Sequence, residues 1–281
     1  MEYKLIALDL DGTLKTSDNR ISDKTREALI ECQKRGMNVI LASGRPTPGL
    51  RHEAEDLQLA KYGGYLLSFN GARVYDIQND KVIYEKVVEK KYADEIYDRA
   101  KQYGLAVMTY EGLNILTEDD DDEYVQVEKS INDIYIKHTD DWKSSFDGNI
   151  NKVLLTGKPE YVASIEQEFK APYENCLSIY RSAPFFIEVM AQNVDKAASL
   201  QKLCEYLGLT NENMIAFGDG FNDISMIKFA GLGVAMGNAQ DVVKEAANEI
   251  TLSNDEDGIY ETLKRVVGLW FQKIQWCYLV L

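Results

Sequence analysis

Histidine is nearly absent from this sequence. His52 and His138 are the only two and lie far apart, which argues against a zinc site built on histidine. Cysteine is also sparse: Cys32, Cys176, Cys204 and Cys277 are scattered and no pair has C-x-x-C spacing. That pattern excludes a disulfide framework and predicts a reduced, cytoplasmic protein. Positive charge is short, with 31 Lys plus Arg against 46 Asp plus Glu and a net charge of −15. Such a surface repels nucleic acid and anionic membranes, because affinity for polyanions comes mainly from neutralising phosphates. No apolar run reaches the roughly 18 residues of a membrane span. The chain enters a strand at once, without the pattern of a signal peptide. No internal repeat or flexible low-complexity linker is visible, and no G-x-G-x-x-G follows the first strand, so a dinucleotide fold is not indicated.

What is present begins with a core. An apolar fraction of 45% in 281 residues supports one large domain or two ordinary ones. Behind the apolar run Leu5-Ile6-Ala7-Leu8 stands Asp9-Leu10-Asp11-Gly12-Thr13. Residues i and i+2 share a face of a strand, and a turn at Gly12 lets both carboxylates converge beyond its end. Open α/β sheets bind ligands at that place. One carboxylate can attack while its neighbour handles a proton, and both can help hold a hard cation. A chance D-x-D-G-T in a chain of this length is of order a few in a thousand, so solvated loop acids are a poor account. A second segment, Gly218-Asp219-Gly220-Phe221-Asn222-Asp223, follows the apolar run Met214–Phe217 and again delivers acids to a strand end. Asn222-Asp223 should open the next helix, whose first-turn N–H groups favour anions.

The first 80 residues alternate strand and amphipathic helix: Leu5–Leu8, a helix near Ser22–Lys34 with Ser22 as N-cap, Val39–Ala42, a helix near Pro48–Leu57, and Tyr65–Ser68. This order implies a parallel sheet with helices on both faces. From about Lys81 the texture changes to α+β for roughly 105 residues, enough for a domain of its own. From about Asp195 the parallel pattern returns. The expected division is a discontinuous core of 1–81 and 189–281 with an inserted domain of 82–188. The expected hinges lie near residues 80–82 and 188–191.

Two further segments stand in order with the first two: Ser43-Gly44-Arg45 behind Val39–Ala42, and Lys196 in Asn193-Val194-Asp195-Lys196. With these four motifs the chain resembles the haloacid-dehalogenase (HAD) phosphatase superfamily, specifically its Cof-type sugar-phosphatase branch, over nearly all its length to about Lys264. The family usually has Gly after the motif-three lysine; here it is Ala197, which suits the following helix better. The resemblance implies an α/β fold, a Rossmann-like parallel-sheet core with an inserted α+β cap. It implies a Mg²⁺-dependent hydrolysis of small phosphate monoesters, sugar phosphates above all, through an aspartyl-phosphate. Asp9 would be the nucleophile and Asp11 the acid and base. Mg²⁺ would be held by Asp9, the Asp11 carbonyl and Asp219, with Asp223 supporting its waters. Ser43 and Lys196 would bind the phosphoryl oxygens, joined by the N–H groups of Leu10 and Gly44 and by Asn222. Arg45, Asn70 and Gly71 would face substrate. The partner implied is a small phosphorylated metabolite, and a monomer is expected.

Rival readings remain at this stage. Asp11 and the absence of a membrane span argue against a P-type pump, whose nucleophile is followed two residues on by Thr. A phosphomannomutase-like phosphotransferase also keeps the second Asp. A phosphosugar-binding module without turnover is opposed by the intact acid set. The acidic run Glu118–Glu123 lacks the spacing of a calcium loop and reads as a solvated loop and helix start. The apolar segment Val266–Leu281 reads as a tail packed on the core or a partner.

Overall fold

Short apolar runs become the centre of the molecule because both faces of a parallel sheet are covered. The structure, a computed structural model, describes residues 2–269. Its fourteen strands are β1 (Leu5–Leu8), β2 (Asn38–Ala42), β3 (Tyr65–Ser68), β4 (Arg73–Asp76), β5 (Lys81–Glu85), β6 (Ala106–Glu111), β7 (Asn114–Thr117), β8 (Tyr135–His138), β9 (Lys152–Thr156), β10 (Leu177–Ala183), β11 (Phe186–Ala191), β12 (Met214–Gly218), β13 (Leu232–Ala235) and β14 (Glu249–Ile250). Eight form the core sheet in the order β14-β13-β12-β1-β2-β3-β4-β5. The pairs from β14 to β3 are parallel, and β4 and β5 add an antiparallel edge.

Alternate residues of the central strands feed two cores. Ile6, Leu8, Val39, Leu41, Ile215 and Phe217 pack on one face. Leu5, Ala7, Ile40, Ala42, Met214 and Ala216 pack on the other, against the helix Lys196–Leu207. Full burial of such side chains contributes roughly 1.5–3 kcal/mol each. Leu8 lies beside Leu41 and Phe217, so β1, β2 and β12 end level with one another. The residues that follow them, Asp9, Ser43 and Asp219, therefore emerge side by side.

The cap is a six-stranded sheet ordered β10-β11-β9-β6-β7-β8, antiparallel except for β7 with β8. The helices Lys90–Gln102 and Pro159–Lys170 cover one face, over Val153, Leu155, Ile187 and Val189. The opposite face carries Lys152, Leu154, Phe186 and Glu188, partly covered by the helix Glu123–Asn132, and is turned to the core site. The α/β core with an inserted α+β cap is thus the observed fold.

The junctions fall later than expected. The strand Lys81–Glu85 pairs with β4 and belongs to the core sheet, and β11 continues in the cap sheet to Ala191. The crossings therefore lie at about residues 86–87 and 192–193, not at 81–82 and 188–189. Sheet pairing decides membership here, and it left no mark on local composition. The expected helix near Pro48–Leu57 is split into a 3₁₀ turn, Thr47–Leu50, and a short helix, Arg51–Asp56.

The acidic run is structural. Glu118 accepts from the Tyr97 hydroxyl and the Trp142 N–H, and Asp122 caps the helix Glu123–Asn132 by accepting from Tyr124 and Val125 N–H. Of the apolar tail, Leu269 is buried and Val266 and Val267 pack on the core. The rest of that expectation, residues 270–281, lies outside the described residues, as does Cys277. Cys32, Cys176 and Cys204 are free thiols. No helix among the described residues is long and apolar enough to cross a membrane.

Candidate active site

Three strand ends and one helix start meet at a buried lysine. Asp195 caps the helix Lys196–Leu207 by accepting from Ala198 N–H. That places Lys196, the first helical residue, beneath the ends of β1 and β2. Its ammonium donates to Asp9 Oδ1 at 2.7 Å, to Asp223 Oδ1 at 2.6 Å and to the Ala42 carbonyl at 2.8 Å. All three of its protons are thereby spent. Asp223 is fully buried, and its other oxygen accepts the N–H groups of Asp219 and Gly220 at 3.1 and 2.9 Å. It buckles the 218–223 loop as well as pairing with the lysine. Asp219 accepts from the Thr13 hydroxyl at 2.7 Å.

Gly12 is the hinge between the two acidic loops. Its φ is +84°, and a Cβ there would stand 2.4 Å from Asp219 Oδ2. Only glycine satisfies both the backbone and the space.

Ligand oxygens of Asp9, Asp219 and Asp223 lie within 4.8 Å of one another. Burial, followed by repulsion from Asp223, pushes Asp9 up to about 8 against the pull of Lys196. Burial also raises Asp219, against the Thr13 hydrogen bond and with help from Asp223. Burial alone would lower Lys196, but Asp9 and Asp223 outweigh it and hold it above the ordinary lysine range. Three crowded carboxylates with one ammonium among them are under-neutralised. Hard oxygen donors in that state fit a small divalent cation such as Mg²⁺. The Asp11 side chain is outside this cluster. It is about half exposed, and Arg45 Nε and Nη2 grip its two oxygens at 2.9 and 2.6 Å.

Arg45 also donates to the Ile131 carbonyl of the cap at 3.0 Å. Ser43 is buried, and its hydroxyl accepts from Arg45 N–H at 3.2 Å. Asn70 N–H donates to the Ser43 carbonyl, and Asn222 Nδ2 donates to Asn70 Oδ1 at 3.1 Å.

A cavity of about 390 Å³ lies between these groups and the cap. Asp9, Asp11, Ser43, Gly44, Arg45, Asp219, Asn222 and Asp223 line its floor. Leu10, Asn70, Gly71 and Lys196 do not line it. Leu10 is buried, and Lys196 lies beneath the carboxylates. Phe69, Asn70 and Gly71 all have positive φ. Asn70, expected to face substrate, is half-buried beside Gly44 and Asn222, which do line the cavity, and Gly71 is buried under the Asp195 carbonyl.

The cap side of the cavity was not readable from the sequence. It includes Glu128, Asn132, Lys152, Phe185, Phe186 and Glu188. Glu188 Oε1 and Lys152 Nζ are 3.2 Å apart, and Tyr180 donates to Glu188 Oε2 at 2.9 Å. Asn70 Nδ2 in turn donates to the Tyr180 hydroxyl at 3.3 Å, so one hydrogen-bonded chain runs from cap to core. The one available signal was charge inside strands: Lys152 in KVLLT and Glu188 in FIEVMA break otherwise apolar runs.

Comparison with known proteins agrees with this architecture. The family model of haloacid dehalogenase-like hydrolases matches residues 6–263. A 5-amino-6-(5-phospho-D-ribitylamino)uracil phosphatase of Bacillus subtilis is 34% identical over 273 residues, covering 95% of this chain and 97% of that protein. The crystal structure of a haloacid dehalogenase-like hydrolase from Bacteroides thetaiotaomicron superposes with a TM-score of 0.91 at 43% identity, over 94% of this chain and all of that one. A solved HAD subclass IIB sugar phosphatase superposes with a TM-score of 0.75 at 27% identity, over 95% of this chain and 100% of that one. With four loops meeting under an inserted cap and a family match spanning almost the whole described chain, this protein belongs to the haloacid dehalogenase-like hydrolases, in their Cof-type phosphatase branch.

Proposed function

We propose that the chain is a Mg²⁺-dependent phosphatase of small phosphate monoesters, sugar phosphates among them, working through an aspartyl-phosphate on Asp9. The observation that carries this is Asp9 itself. It is a buried carboxylate at the end of β1, bonded to Lys196 and opening into a small covered cavity. The similarity to a phosphatase and a sugar phosphatase supports the same chemistry.

Asp9, Asp219 and the Asp11 carbonyl would hold Mg²⁺, which supplies charge neutralisation for the phosphoryl group. Asp9 attacks phosphorus, and the bond from phosphorus to the leaving oxygen breaks. Asp11 gives that oxygen a proton and then takes one from the water that hydrolyses the acyl phosphate. Because Arg45 occupies both Asp11 oxygens, Asp11 reaches a leaving group only by moving off Arg45. Lys196 keeps Asp9 and Asp223 in place. The Ser43 hydroxyl, Gly44 N–H and Asn222 amide are donors for the phosphoryl oxygens.

The test is metal and nucleophile together. Chelation with EDTA should abolish turnover of p-nitrophenyl phosphate, and Mg²⁺ should restore it. Ca²⁺, which prefers more ligands at longer distances, should restore little. Asp9→Asn should lose at least about 10³-fold in kcat. Turnover that survives exhaustive chelation would sink the metal assignment. Near-normal turnover by Asp9→Asn would sink the mechanism.

A further inference from the structure

The cap sheet presents a buried ion pair to the cavity. Lys152 and Glu188 are both almost fully buried, on adjacent strands and on the face turned to the core. Their neighbours on that face, Leu154 and Phe186, show that an apolar choice fits there. Replacing a buried ion pair with apolar residues is often neutral or stabilising, so the fold does not require these charges.

Their hydrogen-bonding capacity is only partly used. Among the described residues, Lys152 Nζ donates one hydrogen bond, to Glu188 Oε1. Its other near neighbours are the Tyr110 and Phe69 rings, 5.4 and 5.9 Å from nitrogen to centroid. An ammonium has three protons, and a carboxylate has about four acceptor positions. Glu188 receives Lys152 and Tyr180 and has acceptor sites to spare. The cavity wall therefore offers spare donors and acceptors side by side. Adjacent hydroxyl groups match that pairing, because each can donate to the carboxylate and accept from the ammonium. Phe185 and Phe186, which also line the cavity, add an apolar surface for the C–H face of such a molecule. Glu128 brings a second carboxylate to the same wall, leaving two negative groups for one positive.

We infer that Glu188 and Lys152 are the recognition pair for adjacent hydroxyls on the leaving group of the substrate, and that the carboxylate surplus around them turns away leaving groups bearing a second anion. This rests on the phosphatase reading above and adds what the cap selects. Tyr180 is a positioning residue, holding Glu188 in register with Asn70 of the core.

The experiment compares kcat/KM for three substrates: a hexose monophosphate, the corresponding bisphosphate, and p-nitrophenyl phosphate, whose leaving group has no hydroxyls. Removing Glu188 alone strands Lys152 in the interior, so the main variant is the double Lys152→Met/Glu188→Gln, with Tyr180→Phe beside it. The hexose-to-p-nitrophenyl ratio of kcat/KM should fall at least about tenfold in the double variant, chiefly through KM. It should fall less in Tyr180→Phe. The wild-type enzyme should use the bisphosphate at least about tenfold less well than the monophosphate, and Glu128→Gln should narrow that gap. Equal losses on hexose and p-nitrophenyl phosphate, or a wild-type preference for the bisphosphate, would overturn the cap inference and leave the phosphatase reading standing. A wild-type enzyme inert toward all three with Mg²⁺ present would overturn both.

Discussion

At the scale of single residues, the site depends on which partner each acid holds. Asp9 and Asp11 are two positions apart and behave differently. Asp9 is buried over Lys196, whereas Asp11 is half exposed and gripped by Arg45. One turn at Gly12 separates them, and Asp219 fills the space that any side chain there would need. The division of labour proposed for the pair follows from this geometry. A buried carboxylate held by a lysine is fixed for attack, and a half-exposed side chain held by Arg45 is free to swing. Asp11→Asn should therefore cost more on a sugar phosphate, whose alkoxide leaves poorly, than on p-nitrophenyl phosphate, whose leaving group needs little protonation. The expected difference is about 10²-fold or more, the scale of general acid catalysis. Parallel rate measurements on the two substrates decide it, and equal losses would remove Asp11 from proton transfer.

At the scale of elements, much was legible because local rules and tertiary structure agreed. Ser22 accepts from Thr25 N–H at the start of its helix, and Gly208 closes the helix that Lys196 begins. The D-x-D-G-T and G-D-x-x-N-D segments could be placed at strand ends because fully apolar runs precede them. The converse holds for the misses. β8 is an exposed edge strand without alternation, and β4 is four residues between two turns. The cap wall was illegible because Lys152, Glu188 and Asn132 come together only through sheet register and helix docking across the cleft. The acidic run, expected as a solvated loop and helix start, does start one of those elements. Asp122 caps the helix that carries Glu128, Ile131 and Asn132. Asp122→Ala should destabilise the protein by about 1 kcal/mol. It should also raise KM for a small phosphate, since that helix bounds the cavity. Denaturant unfolding and steady-state kinetics on the same variant check both, and loss of stability without any rise in KM would separate the helix from substrate binding.

At the scale of the whole molecule, the cap sits closed on the core, held by a small apolar seam of Phe69 and Ala72 against Met190 and Tyr110 and by polar contacts around it. Arg45 reaches the Ile131 carbonyl, and Asp133 accepts from Arg51 and pairs with His52 at 3.3 and 2.6 Å. Asn132 rests on Gly49, where an added Cβ would come within 2.5 Å of Oδ1 and 3.2 Å of the Asn132 Cβ. Asn132 cannot easily give way, because its amide nitrogen is held by the Glu128 carbonyl and carboxylate. Lys86 ties one crossing segment to the Gln192 and Asn193 carbonyls of the other, so the two crossings should turn as one hinge. Exposed polar contacts of this kind are worth little, about 0–1 kcal/mol each, so they add only modestly to the apolar seam, and substrate can complete closure. A covered cavity of about 390 Å³ admits a sugar phosphate and excludes a peptide chain. Essentially no turnover of phosphopeptides is therefore expected beside measurable turnover of small phosphates. Gly49→Ala should prise the lid at a site remote from the reacting groups. Its backbone is compatible with alanine, so stability should change by less than about 1 kcal/mol, while KM for small phosphates should rise about three- to tenfold, equivalent to about 0.6–1.4 kcal/mol. Small-angle scattering with and without a phosphate analogue should show the wild-type protein compact in both states and the variant more open without ligand. A variant as closed as the wild type, with unchanged KM, would show that the Asn132–Gly49 contact does not govern the lid. Strong phosphopeptide turnover would count against a closing lid altogether.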